Sequence, residues 1–206
     1  MSALSPAPAA GVVASTEPLR VALIIGSTRS GRFGPTVADW FARWVRRRGL
    51  ELDCVDLATT GLPDRLTDHD EPLPSAVREL SERLIAADAF VIVTPEYNRS
   101  FPAAVKNAVD WFDIEWAAKP VTVVSYGRDT DGANAATQLR QVLAELNAVP
   151  IRRTVAITRA WQRFAPDGSW PRRDAELDDT VNRVLDQLTW WAHSLREARA
   201  RSPFVP

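Results

Sequence analysis

The segment Gly26-Ser27-Thr28-Arg29-Ser30-Gly31-Arg32-Phe33-Gly34 carries the groups that hold an anion. Glycines let a backbone turn its amides inward, and the N-terminus of a following helix adds partial positive charge. The hydroxyls of Ser27, Thr28 and Ser30 and the guanidiniums of Arg29 and Arg32 are donors suited to phosphate oxygens. The dinucleotide pattern Gly-x-Gly-x-x-Gly is absent, and Arg32-Phe33 stand where a P-loop needs Lys followed by Ser or Thr. A solvated Gly/Ser turn is the plainer alternative. A second segment, Thr94 to Pro102, brings together Pro95, Glu96, the phenol of Tyr97, the amide of Asn98 and the hydroxyl of Ser100. A stacking ring, polar hydrogen-bonders and a proline-stiffened backbone are what a flat heteroaromatic ligand needs. A third, Ser125-Tyr126-Gly127-Arg128-Asp129-Thr130-Asp131-Gly132, adds a further ring and a cation.

The elements that must position these loops are apolar, β-favouring runs alternating with longer segments of helical period, the pattern of a parallel sheet covered on both faces. Strands are expected at Arg20–Gly26, Leu50–Leu57, Ala89–Thr94, Val121–Ser125 and Val149–Ile157. Helices are expected over Pro35 to about Arg48, Pro74–Ala87, Pro102–Trp116, Asn134–Asn147 and Ala175 to about Arg199. The Pro-, Asp- and Thr-rich stretch Ala58–Leu73 reads as a long loop, and Thr158–Asp174 as another. Such an alternation suits an α/β sheet of five parallel strands with helices on both faces. In a doubly wound sheet ligands bind outside the carboxyl ends of the strands, where the strand order reverses. The three polar segments follow the first, third and fourth strands, which places them there.

Gly-Ser-x-Arg-x-Gly after the first strand, and Pro-Glu-Tyr-Asn-x-Ser-x-Pro followed by Lys-Asn-Ala-x-Asp-Trp after the third, are both present (Gly26–Gly31, Pro95–Pro102, Lys106–Trp111). With these motifs the chain resembles the NADPH-dependent FMN reductase family, over roughly residues 20 to 157. The resemblance implies a flavodoxin-like fold with strand order 2-1-3-4-5. It implies that Ser27 and Arg29 bind the phosphate of FMN, with amides up to Phe33 and Gly34 assisting. It implies that Pro95, Glu96, Tyr97 and Asn98 line the flavin ring, partly through backbone, with Ser100 at the edge and Ser125, Tyr126, Gly127 and Arg128 nearby. Arg32 replaces a serine of the family pattern, so the phosphate shell differs in detail, or Arg32 faces the incoming nicotinamide dinucleotide. Where relatives have small residues after the fourth strand, this chain has Arg128, Asp129 and Asp131. Arg128 there either stabilises negative charge on the ring or, the reading we favour, pairs with Asp129 or Asp131 at the surface. The implied activity is hydride transfer from NADPH or NADH to FMN and onward to a small electron acceptor (flavin, quinone, azo or nitro compound) in ping-pong order. Such chemistry belongs to the cofactor and needs no side-chain acid or base. Alternatives are a flavoenzyme serving one biosynthetic step and a non-enzymatic flavin-binding electron carrier.

Other residues invite plainer readings. Cys54 is expected to be a small buried side chain, and His69 and His193 have no metal-ligand spacing around them. Glu115, Trp116, Trp190 and Trp191 are expected on helices, buried in the core or at a subunit interface. A length of 206 residues suits one domain over residues 19–200, with a disordered arm at 1–18 and a tail at 201–206. A net charge of −1 gives no bulk attraction to nucleic acid or an anionic membrane, the apolar runs are too short to span a bilayer, and a single cysteine suits a reducing cytoplasm. The tryptophan-rich helices, and the interfacial flavin of the related family, imply a homodimer or homotetramer. Light scattering at micromolar concentration is expected to give the mass of at least two chains; a mass near 22.8 kDa would contradict this.

Overall fold

The computed structural model describes residues 17–68, 70–169 and 174–205, so most of the expected N-terminal arm, and His69, lie outside the described residues. Strands β1 (Arg20–Ile25), β2 (Glu51–Asp56), β3 (Ala89–Pro95) and β4 (Pro120–Gly127) pair in parallel in the order β2-β1-β3-β4. β5 (Val149–Pro150) and β6 (Val155–Thr158) both pair with β4, giving the expected order 2-1-3-4-5. Every residue of β3 and β4 is buried, as strands covered on both faces require.

Alternation along the strands divides the core in two. Leu23, Val91 and Val124 face α1 (Gly34–Arg47) and α6 (Ala175–Arg201), packing with Phe41, Val45, Leu185 and Leu188. Ile24, Phe90, Ile92 and Val123 face the other way, toward α2 (Ser75–Ala86), α3 (Ala103–Asp110) and α4 (Ala133–Glu145), packing with Leu80, Val105 and Leu139. A one-turn helix, α5 (Ala160–Arg163), follows β6.

Four expectations need correction. The strand foreseen over Val149–Ile157 is two, because side chains replace the ladder between them. Pro150 has no N–H to give. The Ile151 carbonyl accepts from the Arg140 guanidinium, the Arg153 carbonyl from Thr122 Oγ1 at 2.9 Å, and the Arg153 amide donates to Gln187 Oε1 at 3.1 Å. The third helix stops at Asp110 rather than Trp116: the Asp113 amide donates to Glu115 Oε2 at 3.1 Å, spending a donor that a continuing helix would direct to Val109. Trp116 still reaches the core, its ring 4.7 Å from that of Phe90. Cys54 is exposed, because β2 is the edge strand and its faces are only partly covered. Trp190 is 61% exposed beside half-buried Trp191, which of its two expected places excludes the core of this chain and leaves a subunit interface open.

The turn from β4 into α4 rests on Gly132, at φ +89°. A Cβ there would lie 2.5 Å from Ser125 Cβ and 2.8 Å from the Tyr126 nitrogen. Gly132→Ala is therefore expected to destabilise the fold by at least about 1 kcal/mol, from backbone strain before any clash is counted. Denaturant titration measures it, and an unchanged midpoint would contradict this turn.

Candidate functional site

The loops after β1, β3 and β4 meet α5 around one cleft of about 450 Å³ at the carboxyl edge of the sheet. Its walls include Arg29 and Phe33 from the first loop, Pro95 and Tyr97 from the second, Arg128 from the third, and Trp161 from α5. Gly31, Arg32, Glu96, Tyr126 and Gly127 complete the lining.

The first loop leaves β1 with Gly26 N–H donating to the Val93 carbonyl at 2.8 Å, so the chain crosses directly onto β3 before turning. Ser27 is fully buried, and among the described residues its Oγ makes no hydrogen bond of ordinary geometry, the Tyr126 phenol being the one side chain that interacts with it. A buried polar atom left so calls for a partner from outside the chain, a water or a ligand, and at the edge of the cleft a ligand can supply it. Helix α1 begins just beyond, and no side chain caps it. The place a Cβ on Gly34 would take lies 2.2 Å from Ser27 Oγ and 3.2 Å from the Tyr126 hydroxyl, so only glycine lets the helix end approach the turn. Arg29 is exposed and makes no ion pair among the described residues; its guanidinium sits 5.6 Å from the Tyr97 ring centre. A buried hydroxyl without an ordinary hydrogen bond, an uncapped helix start and an uncommitted arginine together fit a phosphate.

Arg32 is spent differently. Its two guanidinium nitrogens each lie 2.5 Å from an oxygen of Asp56, at the end of β2, and one also donates to the Ser27 carbonyl at 2.8 Å. The hydrogen bond from Arg32 holds the Asp56 carboxyl below the usual carboxylate range. Arg32 thus fastens the first loop to the edge of the sheet while its side chain still borders the cleft.

In the second loop Tyr97 and Ser100 exchange backbone bonds at 2.8 and 2.9 Å around Asn98 and Arg99, both at positive φ (51° and 67°). Asn tolerates that region better than most side chains. Ser100 Oγ donates to Gln138 of α4 at 2.7 Å, and neither Ser100 nor Asn98 lines the cleft. Glu96 turns its carboxylate to the start of α4, accepting from Thr130 Oγ1 at 2.5 Å, the Asn134 amide at 3.0 Å and the Asn134 side chain at 3.1 Å. Burial pulls its pKa upward, but these bonds outweigh it and leave the pKa below its ordinary value. The contribution of Glu96 to the ring site is accordingly backbone and stem, with the carboxylate acting as a clasp between loops. The later half of the motif is also architectural: Lys106 pairs with Asp110 at 2.6 Å, and Asn107 and Trp111 both donate to the Pro63 carbonyl, at 2.9 and 3.0 Å.

In the third loop Ser125 Oγ donates to the Asp131 carbonyl at 3.1 Å, and Asp131 is left-handed at φ 49°. Asp129 pairs with Arg159 at 3.6 Å, not with Arg128. Arg128 makes no ion pair among the described residues and faces the cleft, against the surface pairing favoured above. Burial pushes the Tyr126 phenol up to about 12, so it stays neutral in ordinary buffers. Trp161, unassigned from sequence, joins the cleft because the Arg159 amide donates to the Gly127 carbonyl at 2.7 Å and brings α5 alongside the end of β4. Only that pairing reveals it; its loop has no periodic signal. His193 is exposed on α6, and among the described residues no cluster could hold a metal ion and no helix is long and apolar enough to cross a membrane.

These features define a flavodoxin-like α/β protein with a cleft at the carboxyl edge of its sheet bordered by aromatic and cationic side chains. The chain matches the model of the NADPH-dependent FMN reductase family over residues 19–162. An NAD(P)H-dependent FMN reductase of Schizosaccharomyces pombe is 37% identical over 191 residues, 87% of this chain and 85% of that one. A quinone reductase of Escherichia coli K12 is 34% identical over 191 residues, 89% of this chain and 99% of that one. A solved flavoenzyme NAD(P)H:(acceptor) oxidoreductase from Paracoccus denitrificans superimposes with a TM-score of 0.71 at 26% identity, covering 85% of this chain and 98% of that one. The chain belongs to the NADPH-dependent FMN reductase family, and is an oxidoreductase.

The Glu96 clasp has a pH signature. A carboxyl whose folded pKa is depressed contributes stability that is fully present above its unfolded pKa of 4.5 and is lost as pH falls through the lower folded value. Glu96→Gln is expected to lower the melting temperature at neutral pH, losing about 1.5 kcal/mol or more in bonds to a charged group. The gap from the parent should shrink below pH 4.5. A gap independent of pH would show that the carboxylate is not the clasp.

Proposed function

We propose that the cleft binds one FMN, that NADPH or NADH reduces it there, and that the electrons pass to a small acceptor of the quinone or flavin type. The observation that carries this reading is Ser27 Oγ, buried without a hydrogen bond of ordinary geometry among the described residues, at the start of an uncapped helix and in the same loop as Arg29, which has no ion pair among those residues. In this reading Ser27, Arg29 and the amides through Gly34 hold the phosphate. Arg32 shapes that loop through Asp56 instead of touching the phosphate. Pro95, Glu96 and Tyr97 border the ring on one side and Tyr126, Gly127 and Arg128 on the other, with Asn98 and Ser100 shaping the turn from behind and Ser125 buried beneath the third loop.

When bound, FMN supplies a ring that accepts a hydride and gives it up again. The protein's part is to grip the phosphate, expose one ring face and admit two substrates in turn to that face, which makes the kinetics ping-pong. The net reaction moves two electrons and one proton from the reduced nicotinamide to a quinone, with a second proton drawn from solvent. Tyr126, neutral and buried, is no base in this scheme. The exposed Trp190 supports an assembly of two or more chains, and the lone cysteine a reducing, cytoplasmic setting.

Arg29→Ala is expected to weaken FMN by about 1.5–3 kcal/mol, the worth of a lost hydrogen bond to a charged group. Fluorescence titration of FMN into the apoprotein and the variant measures it. Equal affinities would remove Arg29 from the site and the phosphate from this loop.

A further inference from the structure

We propose that Arg128 and Trp161 form an acceptor subsite selecting planar aromatic electron acceptors that carry a negative charge. The proposal rests on the reading of the cleft as an FMN site. It follows from an account of the cleft's charges. Arg32 is neutralised by Asp56 at 2.5 Å. Glu96, the only acid among the lining residues, spends its carboxylate on Thr130 and Asn134. Arg29, two residues after Ser27 in the first loop, is taken by the phosphate in that reading. Asp129, next in sequence to Arg128, is drawn to Arg159. Arg128 therefore remains as a cation on the cleft wall with no acid partner among the described residues.

Beside it, Trp161 keeps 44% of its surface exposed while lining the same cleft. That exposure is held in place by its neighbours. The Arg159 amide bonds to the Gly127 carbonyl, the residue just before Arg128, and Phe164 packs edge-on against Phe33 at 5.5 Å and Trp40 at 6.0 Å. An indole on so firmly anchored a turn offers a stacking face at little entropic cost. One ring and one cation recognise one aromatic system bearing one anion. A nicotinamide dinucleotide, with two ring systems and at least two phosphates, asks for more than this pair provides. An ionised hydroxyquinone, or a quinone bearing a sulfonate or carboxylate, fits it.

The test titrates FMN-loaded protein with two redox-inert probes that share a ring and differ in charge, naphthalene-2-sulfonate and naphthalene-2-sulfonamide, by calorimetry. The parent is expected to bind the sulfonate about tenfold more tightly, a difference typical of one charge-assisted contact. Arg128→Gln should bring the two affinities together. Trp161→Leu should weaken both by about fivefold while keeping their ratio, and Trp161→Phe should restore most of the loss. The same ratio should be read in kcat/KM for 1,4-naphthoquinone-2-sulfonate against uncharged menadione. Equal binding of both probes by the parent, or a ratio that survives Arg128→Gln, overturns the proposal. So does an Arg128→Gln variant whose KM for NADPH rises while its KM for the sulfonated quinone does not, since the subsite would then serve the dinucleotide. The titration consumes no nicotinamide, so the two readings fail separately. A protein that takes up no FMN, or whose flavin no nicotinamide reduces, defeats the reductase reading; a reducible one blind to probe charge defeats only the subsite.

Discussion

Four bonds accepted by the Glu96 carboxylate, from Thr130, from the Asn134 amide and, to both oxygens, from the Asn134 side chain, join the loop after β3 to the start of α4. The Glu96 amide meanwhile donates to the Tyr126 carbonyl at 2.9 Å, carrying the β3–β4 pairing one step past the strand. Two loops that would otherwise move independently become one wall. The sheet beneath leaves them little freedom, because β3 and β4 are buried throughout and polar chemistry is driven to their carboxyl edge. The opposite wall is fixed by a comparable device, the Arg32–Asp56 pair that ties the first loop to the end of β2. What lies between the two clasps is a cleft whose remaining free cations are Arg29 and Arg128. Its ligands are accordingly expected to be anionic at two places.

The motifs divide along the same line. The Ser27 hydroxyl and the Arg29 guanidinium are left without a hydrogen bond of ordinary geometry or an ion pair among the described residues, whereas Lys106, Asn107, Asp110 and Trp111 are spent on each other and on Pro63. Recognition of the family thus draws on residues that build the scaffold as much as on residues that touch ligand. Arg128 and Trp161 can be exchanged without disturbing either clasp, since neither residue bonds to Asp56, Glu96 or α4 among the described contacts.

Much of this was legible in the chain itself. Continuous apolar runs announced β1, β3 and β4, and polar segments at their ends located the cleft. Long-range pairing was not legible. Nothing near Arg32 in sequence designates Asp56, and the motif gives no sign that the Glu96 carboxylate turns away from the ring toward α4. Trp161 enters only because β6 pairs with β4 and delivers its turn beside Gly127. The ends of elements failed where side chains outbid the backbone, at Glu115 after α3 and at Thr122, Arg140 and Gln187 between β5 and β6. Cys54 was misjudged because a strand's position at the sheet edge is a tertiary fact.

Every role proposed for the cleft requires that it hold a flavin that reduced nicotinamide can reach. Anaerobic rapid mixing of the FMN-loaded protein with NADPH, and separately with NADH, tests this by following the visible absorbance of the flavin. Complete bleaching within a single turnover by at least one of the two, with colour returning when a quinone is added, is the result expected. A bound flavin that neither nicotinamide bleaches would contradict it.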